Sequence, residues 1–311
     1  SGSPTEFQIG LAFGIYGLTQ AILQIPFGMS SDRFGRKPMI YFGLLLFIIG
    51  SLIAGFSEEI EGVIIGRAIQ GSGAISAVLT AFLSDLTSDK SRTKGMAIIG
   101  VAIGLTFALS LVISPILNKL IGVTGIFFLM AFLALIAFGV VRLFIHEDFK
   151  QKKIKSATSR DIKTILNNFD LNRLNFGIFV LHASQISMFM AVPFYLINRG
   201  VLPLDQHWSI YLGVLAVSFI FIVPMIIFSE RNNKSKEFFI FSISLIFLTQ
   251  FLFIYFADGL VGIILALIVY FIGFNYLEAS LPSLVSKLAP IQRRGLALGV
   301  YNTSQSLGIF V

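Results

Sequence analysis

Long apolar runs alternate with short charged stretches along the whole chain. Ten runs hold almost no charged side chain, and they cover residues 7–31, 38–57, 62–84, 95–118, 120–141, 174–198, 206–229, 238–257, 259–286 and 295–311. A helix crosses the roughly 30 Å of bilayer hydrocarbon with about 20 residues, so the runs are typical of membrane spans, the last being marginal at 17 residues. Backbone polar groups inside a bilayer must bond within the chain, which a helix achieves. The pattern predicts an all-α polytopic membrane protein.

The charged residues support the same fold class. Charged side chains make up only 13% of the 311 residues, whereas a soluble domain is about 25% charged. Of the 23 Lys and Arg residues, 20 lie in every second connection between the runs, at 32–37, 85–95, 142–173, 230–237 and 287–294. Because cytoplasmic loops carry the excess of basic residues, we expect these connections to be cytoplasmic. The net charge of +7 then reflects membrane topology, and no nucleic-acid partner is expected.

The connection between the first two runs holds more chemistry than a simple turn needs. One acid and three bases fall within six positions of the stretch GMSSDRFGRK, residues 28–37. This stretch resembles the signature loop of the major facilitator superfamily, Gly-x-x-x-Asp-Arg-x-Gly-Arg-Lys. The six defined positions of the signature are filled by Gly28, Asp32, Arg33, Gly35, Arg36 and Lys37.

The resemblance implies the major facilitator fold, in which two pseudo-symmetric helix bundles follow each other along the chain. The expected parts are an N-terminal bundle at 1–145, a cytoplasmic basic linker at 146–173 and a C-terminal bundle at 174–311. A faded copy of the signature loop at 228–236, 198 residues after the first, supports this division. The family has twelve helices and ten are expected here, so we interpret the chain as a fragment without the first and last helices.

The resemblance also implies a gate or latch on the cytoplasmic side. In the family, the Asp of the signature loop caps the start of helix 11, and the second Arg of the same loop pairs with an acid that ends helix 4. Carried over, Asp32 is expected to face the helix that begins near Gly295, and Arg36 is expected to meet Asp85. An acid is favourable at a helix N-terminus because the helix dipole is positive there. The six signature residues and Asp85 are therefore the predicted latch.

A charged side chain interrupts the third apolar run. The stretch GRAIQGSGA, residues 66–74, resembles a second signature of the family, Arg-x-x-Gln-Gly, with Arg67 and Gln70 in place. A charge inside a span is costly unless it is paired or hydrated, and it marks a functional site by default. The family implies that Arg67 takes part in proton coupling, and Gln70 shares its helix face. An Arg that only holds helices together by hydrogen bonds is the alternative.

Five further polar residues within predicted spans are candidates for proton coupling or substrate contact. They are Gln24, His182, Gln185, Asn275 and Glu278. Burial disfavours the charged form of a carboxylate, so Glu278 can load and release a proton. For Gln24, His182 and Glu278, hydrogen bonding between helices is the alternative interpretation.

Across its length the chain resembles bacterial drug:proton antiporters of the YajR type. This resemblance implies a monomeric, proton-coupled secondary transporter of the bacterial inner (plasma) membrane, which exports a lipophilic or drug-like molecule by alternating access. Its partners would be a small-molecule substrate, protons and the lipid bilayer. Proton-coupled uptake of a sugar or an organic acid is the alternative, because Ser110 and Ser114 replace glycines of the antiporter Gly-Pro signature at Pro115.

Two other classes of protein are considered. A non-transporting membrane receptor would not need a latch, an intramembrane Arg and a buried Glu together. An enzyme is not expected, and neither is a cofactor or a metal. The sequence holds no Cys, no His-x-x-x-His pair and no glycine-rich phosphate loop beside a strand.

Overall fold

The computed structural model describes residues 5–88, 91–145, 159–198, 206–256 and 259–310, and every regular element in those ranges is a helix. In chain order the helices are α1 (Glu6–Phe34), α2 (Arg36–Phe56), α3 (Ile60–Ser72), α4 (Ser76–Leu86), α5 (Arg92–Phe144), α6 (Ser159–Leu166), α7 (Phe169–Asn198), α8 (His207–Arg231), α9 (Ser235–Phe256), α10 (Leu260–Leu288) and α11 (Arg294–Phe310). A 3-10 turn, Ile291–Arg293, leads into α11.

Eight helical stretches within the described residues are long and apolar enough to cross a membrane. They are Phe7–Phe34, Arg36–Phe56, Ile60–Leu86, Ile116–Phe144, Phe169–Ile197, His207–Arg231, Ser235–Tyr255 and Leu260–Leu288. The predicted spans 95–118 and 295–311 are not among the eight. The first of these lies within α5 and the second coincides with α11, which has 17 residues. The prediction of an all-α chain is therefore confirmed.

The predicted span 62–84 is not one continuous helix, and in this respect the sequence-based prediction is wrong. Helix α3 ends at Ser72, α4 begins at Ser76, and the three residues between them are not helical. Close packing explains the interruption, because a Cβ atom on Gly73 would overlap the backbone oxygen of Gly43 in α2. If residues 73–75 continued the helix, α2 could not pack this closely against them.

The predicted spans 95–118 and 120–141 both lie within α5, which has 53 residues. Its helical backbone is interrupted at Gly122, where φ is 66° and ψ is −179°. Glycine adopts a positive φ without the steric penalty that a Cβ atom brings. The side chain of Pro115, part of the partial Gly-Pro signature, lies outside the described residues.

The chain forms two compact units, and each is built from several segments. The first unit consists of Ser1–Asp85, Pro115–Ala183 and Val285–Val311, and the second consists of Leu86–Ser114 and Ser184–Leu284. Both units therefore contain parts of both predicted bundles, and the division at 145 and 174 stays a prediction. An apolar cluster stabilises each unit. The first cluster contains Phe27, Ile40, Leu44, Ala74 and Val78, and the second contains Ile222, Ile226, Tyr276 and Ala279.

Candidate functional site

The carboxylate of Asp32, near the end of α1, caps the start of α11. Its Oδ1 accepts a hydrogen bond from the N–H of Gly295, and its Oδ2 accepts one from the N–H of Leu296, both at 3.0 Å. These N–H groups lie in the first turn of α11, where the helix has no carbonyl to accept them. Asp32 is only 4% exposed. Its negative charge therefore faces the positive end of the helix dipole with little water to screen it.

One turn before Asp32, helices α1 and α11 touch through two glycines. A Cβ atom on Gly28 would overlap the backbone oxygen of Gly295, and a Cβ atom on Gly295 would overlap that of Gly28. Further from the loop, the Thr303 hydroxyl donates a hydrogen bond to the carbonyl of Ala21 at 2.8 Å. The two glycines bring the helices close enough for Asp32 to reach the backbone of α11.

Arg36, the first residue of α2, links Asp32 to a second acid. Its Nη1 donates to Asp32 Oδ1 at 2.7 Å and to the hydroxyl of Ser31 at 2.6 Å, and its Nε donates to Asp85 Oδ2 at 3.0 Å. The other oxygen of Asp85 lies 3.5 Å from Arg294 Nη1. We call Asp32, Arg36, Asp85 and Arg294 the ion cluster. Two acids and two bases balance within it, so its formal charge is zero.

The remaining signature residues lie around the ion cluster. Gly35 separates α1 from α2 with a φ of 101°, a conformation that favours glycine. Lys37 Nζ donates to the carbonyl of Ile145, just after α5, at 2.7 Å. Arg33 is exposed, and its guanidinium lies 4.9 Å from the ring centroid of Phe34. The structure thus places Lys37 and Arg33, two of the predicted latch residues, outside the cluster.

An ion pair joins the loop before α11 to the predicted linker. Arg293 Nη2 lies 3.1 Å from Asp161 Oδ2 in α6, and Ile165 of the same helix is buried. This part of the predicted linker is therefore a docked helix. Neither Arg293 nor Asp161 belongs to the predicted site. Residues 146–158 of the linker lie outside the described residues.

The sequence repeat has a structural counterpart in the second compact unit. The copy at 228–236 aligns Glu230 with Asp32, and a second match aligns Lys94-Gly95-Met96-Ala97 with Arg294-Gly295-Leu296-Ala297. Lys94 Nζ and Glu230 Oε2 are 3.5 Å apart, so the end of α8 meets the start of α5 through an ion pair. Arg294 is absent from the predicted site, and its match with Lys94 is the signal that could have pointed to it.

Arg67 lies in α3 among neutral groups. Its Nη1 donates to Gln70 Oε1 at 3.0 Å, its Nε donates to the carbonyl of Ala12 at 3.3 Å, and its guanidinium lies 4.6 Å from the ring centroid of Tyr16. Gln70 is buried and donates to the hydroxyl of Ser51 at 2.7 Å. The predicted pairing of Arg67 with Gln70 on one helix face is therefore present. Neutral acceptors and an aromatic face stabilise a cation without neutralising it.

His182 and Gln305 connect α7 to α11. His182 Nε2 lies 3.0 Å from Gln305 Nε2, and its Nδ1 lies 3.3 Å from the carbonyl of Ile178. An amide nitrogen only donates, so Nε2 is the acceptor and Nδ1 carries the proton in this arrangement. Gln185 follows His182 by three residues on α7, so the two side chains lie on one face of that helix.

Asn275 and Glu278 line a small cavity within the second unit. The cavity has a volume of about 40 Å³, and Gly100 of α5 and Phe219 of α8 also line it. Asn275 Nδ2 donates to the hydroxyl of Ser218 at 3.2 Å. Apart from Asn275 and Glu278 the described lining is apolar, and the volume is large enough for a water molecule. The two predicted residues of α10 therefore share one water-sized space.

The second unit also contains a larger cavity of about 460 Å³ between α7, α9 and α10. Ser184, Ser187, Tyr195 and Gln250 contribute its polar groups, and the other lining residues that the structure describes are apolar. No charged side chain is among the described lining residues. In the described part of the chain, no three His, Cys, Asp or Glu side chains are grouped to hold a metal ion.

The sequence matches one protein family along almost its whole length. Residues 3–311 match the family described as Major Facilitator Superfamily. The chain belongs to this superfamily.

Individual relatives and solved structures agree with this assignment. The inner membrane transport protein YajR of Escherichia coli (strain K12) is 41% identical over 309 residues, which are 99% of this chain and 68% of that protein. The multidrug resistance protein MdtL of Shewanella sp. (strain ANA-3) is 30% identical over 167 residues, which are 51% of this chain and 41% of that protein. The crystal structure of the human organic anion transporter MFSD10 (TETRAN) has a TM-score of 0.82 at 19% identity, covering 99% of this chain and 78% of that one. At that identity the likeness shows the fold alone.

This major facilitator chain is therefore an all-α, multi-pass protein of the inner membrane. It belongs to a family of transporters and is not an enzyme. The family assignment, the fold class and the membrane location predicted from the sequence are confirmed.

Proposed function

We propose that this major facilitator protein is a proton-coupled secondary transporter that exports a lipophilic or drug-like molecule by alternating access. The ion cluster carries the proposal, because it joins α1, α2, α4 and α11 through charged groups rather than through apolar packing alone. A hydrogen bond to a charged group contributes about 1.5–3 kcal/mol, and water can replace it when helices separate. Such contacts suit a latch that must open and close in every cycle.

In this proposal, the ion cluster closes the cytoplasmic side of the transporter while the substrate pathway is open to the outside. A ligand shifts such an equilibrium only by the difference in its affinity for the two states. Proton or substrate binding must therefore favour the state in which Asp32 has released the N–H groups of Gly295 and Leu296.

Arg67 and Glu278 are the residues proposed to couple proton movement to transport. Arg67 keeps its positive charge, so it would act as a fixed charge that influences the protonation of other groups as the protein changes state. Glu278 is the proposed proton carrier, and the water-sized cavity beside it supports proton exchange. His182 is a second candidate. A proton on its Nε2 would turn this atom from an acceptor into a donor, so Gln305 would have to present its carbonyl oxygen instead of its amide group. Protonation would thus change the contact between the two side chains.

Two observations support a lipophilic substrate. A relative that matches about half of this chain is named a multidrug resistance protein. The cavity of about 460 Å³ in the second unit has the size of a small-molecule site and no charged group among its described lining residues. Sites of this kind bind largely apolar molecules and use a few polar groups to orient them.

Dye transport in everted membrane vesicles tests the proposal. An imposed pH gradient with an acidic lumen should drive a lipophilic fluorescent dye into vesicles that contain the protein, and a protonophore should release it. Vesicles without the protein are the control. Dye movement that ignores the gradient would argue against proton coupling. Movement in the opposite direction would indicate an uptake symporter, and the absence of transport for any tested substrate would favour a receptor.

A further inference from the structure

The break between α3 and α4 needs partners for the backbone groups that it frees, because a bilayer interior offers no water. The N–H of Gly73 donates to the carbonyl of Gln70 at 3.1 Å, and the N–H of Ile75 donates to the carbonyl of Gly73 at 2.7 Å. The N–H of Ala77, in the first turn of α4, donates to the side chain of Gln24 instead, at 3.1 Å. A side chain of α1 therefore takes the place of the helix carbonyl that the break removes.

Gln24 lies on α1, the helix that also contributes Asp32 to the ion cluster. It is 1% exposed. Phe27 follows it by three residues and packs against Ala74 and Val78, and Asp32 follows it by eight. At 3.6 residues per turn, Phe27 and Asp32 lie to either side of Gln24, each within about 80° of it around the helix. Helix α1 thus contacts the start of α4 with Gln24 and Phe27, and the start of α11 with Asp32.

Helix α4 is short, and it is held at both ends. It has 11 residues, and its buried face includes Ala77, Val78, Ala81 and Ser84. Near its other end, Asp85 accepts a hydrogen bond from Arg36 and lies beside Arg294. Because the break removes the continuous helical backbone between α3 and α4, the position of Asp85 depends on what holds α4 itself.

We propose that Gln24 is a positioning residue of the ion cluster. Its hydrogen bond to the Ala77 N–H fixes α4 as a separate short helix, and this places Asp85 between Arg36 and Arg294. Gln24 then serves neither substrate nor proton directly. The expected effect on transport depends on the latch of the proposed function. The hydrogen bond of Gln24 to α4 does not depend on it.

A double-mutant cycle tests whether Gln24 acts through Asp85. Gln24→Leu removes the acceptor at similar side-chain size and should lower turnover about tenfold. In an Asp85→Asn background, Gln24→Leu should add little, because residues that act as one unit are not additive. Equal losses in both backgrounds would mean a general structural role and would overturn the proposal.

Hydrogen exchange tests the contact itself, without reference to transport. Gln24→Leu should speed amide exchange at residues 76–79 about tenfold, the effect of losing one buried hydrogen bond, and should leave α3 unchanged. Thr303→Val is a matched control, since it removes an α1–α11 hydrogen bond that does not involve α4. Unchanged exchange at residues 76–79 in Gln24→Leu would overturn the proposal.

The unmodified protein provides a test even if Gln24→Leu does not insert. The Ala77 amide should exchange as slowly as amides inside α3, although it lies in a first turn. Exchange as fast as that of an exposed first-turn amide would refute the role of Gln24. Normal turnover in Asp85→Asn alone would instead overturn the latch, so the two failures are distinguishable.

Discussion

Replacing Asp32 by Asn tests the ion cluster with the smallest possible change of shape. The variant keeps one carbonyl oxygen that can still accept from Gly295 or Leu296, but its NH2 group cannot accept a hydrogen bond. The change also removes the negative charge that lies 2.7 Å from Arg36 Nη1 and faces the start of α11. Packing between Gly28 and Gly295 is left intact.

Three overlapping contributions set the size of the expected effect. A charge-assisted hydrogen bond contributes about 1.5–3 kcal/mol, an acid at a partly buried helix N-terminus contributes up to ~2 kcal/mol, and breaking a buried ion pair costs about 3–5 kcal/mol. All three describe the same carboxylate, and Arg36 keeps Asp85 as a partner at 3.0 Å. We therefore expect the latched state to lose about 2–4 kcal/mol, which lowers its population relative to the open state by about 30-fold to 700-fold.

Initial transport rates in proteoliposomes, measured across substrate concentrations, check this prediction. Turnover should fall about tenfold or more because the return to the latched state becomes slow, while KM should change less than about twofold. Lys236→Gln, which removes an exposed base at the start of α9, is the control for a change of charge. Normal turnover in correctly inserted Asp32→Asn, or a raised KM with unchanged turnover, would refute the reasoning.

Three further predictions follow from other contacts. Arg67→Ala should abolish pH-driven flux while the protein still inserts, as checked by dye transport and membrane abundance, and normal flux would remove Arg67 from the mechanism. Gly28→Ala should destabilise the protein by about 1–3 kcal/mol in thermal unfolding, because the new Cβ meets a backbone oxygen, whereas Gly17→Ala enters open space and should not. Asp161→Asn should loosen α6, and faster hydrogen exchange at residues 161–166 would show this. The charge swap Asp161→Arg with Arg293→Asp should restore part of the protection, and no restoration would mean that the ion pair is unimportant.

Local patterns in the sequence determined much of this protein. The apolar runs predict the helices because a membrane span has to satisfy its backbone groups internally. The contact of Arg67 with Gln70 follows from a spacing of three residues on one helix. The family signature adds the expectation that Asp32 meets the start of α11 and that Arg36 meets Asp85, and the structure has both contacts.

Only the tertiary structure decided where helices break and which distant groups meet. The backbone approach of Gly43 to Gly73 interrupts the third span, and this close contact leaves no periodic signal in the sequence. The same holds for the pairing of Gln24 with Ala77 across 53 residues and of Arg293 with Asp161 across 132. Hydrophobic periodicity records that a helix face is buried, but not which helix covers it, so these partners are set by packing in three dimensions.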